Sequence, residues 1–164
     1  MNMDAEKPTA LDARHVSLLW ASPDRVRDVA AIHAELFNPP WDEAAILKLL
    51  EHPAATNLMA TAGPKREPAG FVLAQLAADE AEIVSLGVAI KWQRLGLGRR
   101  LIEGLIRAAQ RAEARRLFLE VSADNTAALK LYQSLDFKKV GLRPRYYKRE
   151  GQPPVDALVL ALEF

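Results

Sequence analysis

Ala81-Glu82-Ile83-Val84-Ser85-Leu86-Gly87-Val88-Ala89-Ile90, running on through Lys91-Trp92 into Gln93-Arg94-Leu95-Gly96-Leu97-Gly98-Arg99-Arg100, is the stretch on which the fold turns. Its first half reads as a β-strand. From Leu97 to about residue 114, Leu101 and Leu105, with Ile102, Ile106 and Ala109, recur at helical spacing. A strand therefore feeds a helix through a glycine turn, and the unpaired N–H groups of the first helical turn point outward, where they can bind an anion. Glycine at 96 and 98 lets the backbone approach a pyrophosphate with no Cβ in the way, and Arg94, Arg99 and Arg100 add positive charge. A plain strand-to-helix turn with solvated arginines fits the same spacing. The nucleotide P-loop would need Gly-Lys-Ser or Gly-Lys-Thr, and the dinucleotide fingerprint a third glycine where this chain has Leu101.

Upstream of this stretch, residues 15–20 read as a first strand, with Ser22 and Pro23 as N-cap and first position of a helix reaching about residue 36. Phe37-Asn38-Pro39-Pro40 breaks that helix, and residues 41–51 form a second, short one. Residues 57–62 and 69–77 lean to strand around the turn-rich Gly63-Pro64-Lys65-Arg66-Glu67-Pro68, which predicts a hairpin. Downstream, residues 117–121 are a strand, 125–135 a helix, and 137–142 and 155–164 two closing strands. The order β, α, α, three strands, α, β, α, two strands predicts an α/β protein, a central mixed sheet flanked by helices.

Half the chain is apolar, and 164 residues suit one domain, expected over residues 14–164. Residues 1–13, with Asp4, Glu6, Lys7 and Asp12, read as a loose polar tail without the apolar core of a signal peptide. Apolar runs fall short of the roughly 20 residues that span a bilayer, so no membrane partner is expected. The net charge of +1 gives no global reason to expect nucleic acid. The chain has no cysteine, which closes acyl-cysteine chemistry and Cys-type zinc sites and fits a reducing cytoplasm. His15, His33 and His52 have no metal-ligand spacing; no metal is expected.

Gln93-x-x-Gly96-x-Gly98 after an apolar strand resembles the acetyl-CoA loop of the GNAT acetyltransferases. A second block, Leu119-Glu120-Val121-Ser122-Ala123-Asp124-Asn125-Thr126-Ala127-Ala128-Leu129-Lys130-Leu131-Tyr132-Gln133-Ser134-Leu135-Asp136-Phe137, is also similar to that family, and the resemblance extends over residues 15–164. It implies the GNAT fold, N-acetyl transfer in a cytoplasmic enzyme, and acetyl-CoA as co-substrate. The donor would be held by Leu86, Gly87, Val88, Arg94, Leu95, Gly96, Leu97, Gly98, Arg99 and Asn125. Within the family the likeness is to bacterial enzymes that acetylate the N-terminal α-amine of a ribosomal protein. Residues 37–41 resemble their aromatic-proline approach to the second helix, Leu119-Glu120-Val121 their catalytic strand, and Arg145-Tyr146-Tyr147 their late tyrosine pair. Trp41, Tyr146 and Tyr147 are accordingly expected to line the acceptor site. The family usually has glycine where this chain has Asp136, a left-handed helix end that aspartate tolerates at some cost.

Acetyl transfer from a thioester to an amine needs a deprotonated nucleophile, a stabilised oxyanion and a proton for the departing thiolate. A free α-amine, with a pKa of about 7.7–8.0, is mostly protonated at neutral pH, so a carboxylate base helps; Glu120 is the candidate. Tyr132, about two helical turns beyond the N-cap Asn125, is the candidate acid. Residues 86–88 are the expected bulged part of the central strand, whose free N–H would face the thioester carbonyl. The alternatives are an ordinary exposed glutamate, a packed core tyrosine and a regular strand. Lys138, Lys139, Arg143, Arg145, Lys148 and Arg149 make the last hairpin basic, read as a solvated surface rather than an RNA contact. Two rival functions remain open: a GNAT enzyme for a small amine such as a polyamine, amino acid or antibiotic, and a CoA-binding module without chemistry.

Overall fold

The computed structural model describes residues 6–164, so residues 1–5 of the expected tail lie outside the described residues. The strands are β1 (Ser17–Trp20), β2 (Leu58–Ala62), β3 (Glu67–Ala77), β4 (Glu80–Val88), β5 (Arg116–Ser122), β6 (Lys138–Tyr147) and β7 (Val155–Glu163). The helices are α1 (Val26–Leu36), α2 (Glu43–Glu51), α3 (Leu97–Arg111) and α4 (Thr126–Ser134), in the order the sequence predicts. The seven-stranded sheet has the order β1-β2-β3-β4-β5-β7-β6. It is mixed: β4 and β5 pair parallel, whereas β1–β2, β2–β3, β5–β7 and β6–β7 pair antiparallel. The parallel pair follows from chain order, since α3 carries the chain from the end of β4 back to the start of β5.

Several boundaries move for identifiable reasons. Residues 13–15 form a 3₁₀ turn capped by Asp12, which delays β1 to Ser17. Ser22 and Pro23 open a 3₁₀ turn rather than the α-helix itself, and the Ser22 hydroxyl pairs with the Asp24 carboxylate instead of a backbone N–H. Helix α2 begins only at Glu43, because Asp42 is its cap and accepts the Ala45 N–H at 2.8 Å. Trp41 is thus left in the connector. Pro68 lies inside β3, where the ladder with β2 shifts register at Ala60/Thr61.

The described chain divides into two compact units, one comprising the residues up to Leu73 with Ser85–Leu105, the other Ala74–Val84 with Ile106–Phe164. The core of the first is built from Val29, Ile32, Ile46, Met59, Phe71, Leu97 and Leu101, all nearly inaccessible. Gly87 belongs to this packing: an added Cβ would come within 2.8 Å of the Phe71 ring and 3.0 Å of Leu36 Cδ1. In the second unit β5 alternates strictly, Leu117, Leu119 and Val121 inward and Phe118, Glu120 and Ser122 on the half-open face. The β4–β5 ladder runs from Glu80↔Arg116 to Ile83↔Leu119, while β5 continues along β7 as far as Ser122↔Ala157.

Helix α4 ends as the sequence requires. Asp136 sits at φ 66°. The Phe137 N–H donates to the Tyr132 carbonyl and the Asp136 N–H to that of Gln133, each at 3.1 Å. This is a Schellman ending, with aspartate in the left-handed place that glycine usually takes.

Candidate active site

In the first unit the glycine turn is fastened from behind. Gln93 Nε2 donates to the Val88 carbonyl at 3.0 Å, so the glutamine of the motif ties the turn to the end of β4 across a 3₁₀ turn at Ile90–Trp92. Arg94 and Gly96 both have left-handed backbone, φ 64° and 84°. A Cβ at Gly96 would meet nothing within 4 Å, so the backbone twist, and not crowding, selects glycine there. The first bond of the α3 ladder at this end is Arg100 N–H to the Gly96 carbonyl, 3.2 Å, so the N–H groups of residues 97–99 precede the ladder. Open space at Gly96 beside those donors fits a diphosphate. Arg99 donates to Glu103 Oε1 at 2.9 Å, which draws its guanidinium along the helix. Burial alternates unbroken along β4 to Val88, with Leu86 and Val88 on the half-exposed face and Gly87 inward.

Trp41, 39% exposed, stacks on His33 with centroids 4.7 Å apart, and its backbone N–H donates to His33 Nδ1 at 3.1 Å. His33 is buried and also stacks on Phe37 at 4.2 Å. Burial pushes the His33 pKa down, which keeps the ring neutral and Nδ1 free to accept. Sequence reasoning gave His33 no chemistry. The available signal was aromatic rings at 33, 37 and 41, four residues apart.

The second unit holds the titratable groups. Glu120 lies on β5 with its side chain 22% exposed, and Arg143 Nε on β6 makes an ion pair with its Oε1 at 2.7 Å. Glu82 on β4 and Tyr147 on β6 both feel the Glu120 charge. Burial first, and then Glu120, pushes the Glu82 carboxyl up, with Arg143 opposing. Burial, then Glu120 and then Tyr146, pushes the Tyr147 phenol up. The Tyr147 phenol thus lies within electrostatic range of the Glu120 carboxylate. Tyr146 and Tyr147 meet edge to face at 5.2 Å, and the Arg143 guanidinium lies 5.5 Å from the Tyr146 ring centre. The sequence marks Arg143 only as one of the basic residues of the last hairpin and does not mark Glu82, because their approach to Glu120 depends on strand register.

Tyr132 is 4% exposed, its ring edge-on to Phe137 at 5.4 Å, and burial pushes its phenol well above the ordinary value. Asn125 caps α4, its Oδ1 accepting the Ala128 N–H at 3.2 Å. The turn before it is clamped. Arg149 contacts Asp124 Oδ2 at 2.5 Å and Oδ1 at 3.0 Å, while the Ser122 hydroxyl donates to Asp124 Oδ1 at 2.5 Å. Asp124 is held down to about 2, first by Arg149 and then by Ser122.

The first unit thus holds a strand-fed glycine turn at a helix start, and the second a carboxylate on β5 and a buried phenol on α4. The GNAT acetyltransferase family profile matches residues 26–137, and the chain belongs to that family. It is 40% identical over 95 residues to the [ribosomal protein bS18]-alanine N-acetyltransferase of Escherichia coli strain K12, 57% of this chain and 63% of that protein. The matched stretch thus spans less than two thirds of the E. coli relative's own length. It is 36% identical over 132 residues to the N-alpha-acetyltransferase RimI of Mycobacterium tuberculosis, covering 74% of this chain and 78% of that one. The crystal structure of the E. coli ribosomal-protein-S18-alanine N-acetyltransferase superposes with a TM-score of 0.82 at 29% identity, over 90% of this chain and 93% of that one. The fold is the GNAT fold.

Proposed function

We propose that this chain moves the acetyl group of acetyl-CoA directly, without an acyl-enzyme, to the N-terminal α-amine of a protein, a ribosomal protein in a bacterial cytoplasm. The observation that carries the reading is the Glu120 carboxylate on the half-open face of β5, with the Arg143 guanidinium on one oxygen. Acetyl-CoA supplies the thioester carbonyl and the thiolate leaving group. The N–H groups of residues 97–99, with Arg94 close by, hold the diphosphate, and Asn125 and residues 86–88 complete the donor side. Glu120 takes the proton of the incoming ammonium, directly or through a water, so that a C–N bond forms as the C–S bond breaks. Tyr132, kept protonated by burial, gives its proton to the sulfur, and the second proton that the attacking nitrogen sheds as the intermediate collapses restores the phenol. Trp41, Tyr146 and Tyr147 line the acceptor side. The names of the relatives support a protein N-terminus as acceptor. No helix among the described residues is long and apolar enough to cross a membrane.

The test is CoA release with a panel of acceptors: short peptides with a free N-terminal alanine, the same peptides blocked at the α-amine, and polyamines and free amino acids. Turnover of free but not blocked peptides is expected. Turnover confined to small amines would overturn the acceptor assignment, and donor binding without any turnover would leave a CoA-binding module.

A further inference from the structure

Strand β6 does not run evenly along β7. Arg143 pairs with Ala157 and Tyr147 with Val155, so β6 advances four positions while β7 advances two. The extra residues form a bulge at residues 144–146, immediately before the tyrosine pair. Within it Arg145 has φ 53°, a left-handed backbone that a side chain with a Cβ disfavours. One group holds it there: Asp156 Oδ1 accepts the Arg145 N–H at 2.8 Å. The Asp156 carbonyl accepts the Ala123 N–H at 2.9 Å, so the same residue also fixes the turn between Glu120 and Asn125.

We propose that Asp156 is a positioning residue for the acceptor side of the site, its carboxylate pinning the β6 bulge so that Arg143 and Tyr147 stand beside Glu120. Without the pin, Arg145 relaxes out of the left-handed region and the bulge is lost. Losing the two extra residues slides β6 by two positions along β7, about 7 Å, so its side chains keep their face but move along the strand. Arg143, which lies next to Tyr146 and on Glu120 Oε1, and Tyr147, which feels the Glu120 charge, would then leave their places. The proposal deepens the reading of this chain as a peptide acetyltransferase and rests on it.

Three variants test it: Asp156→Asn, which keeps an accepting oxygen, Asp156→Ala, which removes it, and Asp156→Ala combined with Arg145→Gly. Glycine adopts φ near 50° without a Cβ penalty, so it rebuilds the bulge without the pin. Asp156→Asn should stay close to wild type. Asp156→Ala should lower kcat/KM for the peptide on the order of tenfold or more, as small misplacements do, with KM for acetyl-CoA unchanged. Arg145→Gly in that background should restore most of the loss. Unaltered peptide kinetics in Asp156→Ala, or a loss that the glycine does not repair, would overturn the proposal. Amide exchange at Arg145 gives a second readout that needs no turnover and is expected to accelerate in Asp156→Ala. If the wild type acetylates no peptide, the proposed function falls, and an exchange rate unchanged in Asp156→Ala would then overturn the pin by itself.

Discussion

In the proposed reading, the one ring of Tyr132 answers to packing and to chemistry. Its edge-on contact with Phe137 joins the two residues that close the α4 Schellman ending, so the ring is fixed by the helix terminus. Tyr132→Phe keeps that contact and removes only the hydroxyl. We expect stability within about 1 kcal/mol of wild type, donor affinity retained, and kcat lower by roughly one or more orders of magnitude, read by thermal melts beside steady-state kinetics. A melt shifted as far as the rate, or an unchanged kcat, would remove the acid role. His33 gives a pH prediction. Burial lowers its pKa in the folded chain, so the neutral ring contributes stability above the unfolded value of about 6.5 that is lost as pH falls through the lower folded value. Protonated Nδ1 cannot accept the Trp41 N–H. The melting temperature of the wild type should drop more steeply below about pH 6.5 than that of His33→Gln, and parallel slopes would refute the assignment.

The glycines of β4 and of the turn after it look alike in sequence and act differently as parts of their elements. Gly87 is surrounded, its absent Cβ facing the Phe71 ring and Leu36, whereas Gly96 has open space and a left-handed φ of 84°. Gly87→Ala should therefore overpack the first unit and cost about 1–3 kcal/mol. Gly96→Ala should cost about 1–2 kcal/mol through backbone strain alone and weaken acetyl-CoA binding out of proportion to that loss. Chemical denaturation and donor titration of both variants separate the two effects; equal losses of binding per unit of stability would contradict this division. The same contrast explains what was legible beforehand. The order of strands and helices, the turn at residues 93–98 and the left-handed Asp136 could be read because each is governed by residues close in sequence. The pinned bulge could not, since Arg145 carries no left-handed preference and its partner Asp156 arrives from the next strand. For the same reason Glu120 was identifiable from its block, but its ion pair with Arg143 was not. The packing role of Gly87 could not be read either, because Phe71 and Leu36 are brought to it only by the fold.

For the molecule as a whole, charge nearly cancels, 22 basic against 21 acidic side chains, and much of it is paired locally. Arg14 meets Asp12, Lys91 meets Glu67, Arg99 meets Glu103, Arg143 meets Glu120 and Arg149 meets Asp124. A polyanionic donor approaching such a surface meets little net field at long range, so in the proposed reading its attraction comes from the glycine turn. Screening tells the two sources apart, because the Debye length falls from about 10 Å at 0.1 M salt to about 3 Å at 1 M. If capture is local, KM for acetyl-CoA should rise severalfold across that range. Arg94→Gln should raise KM at low salt and flatten its salt dependence, since it removes a charge beside the diphosphate donors. Arg27→Gln, an equal change of net charge on exposed α1, should leave both unchanged. Matching shifts from the two substitutions would mean that the overall charge, and not the turn, draws the donor in.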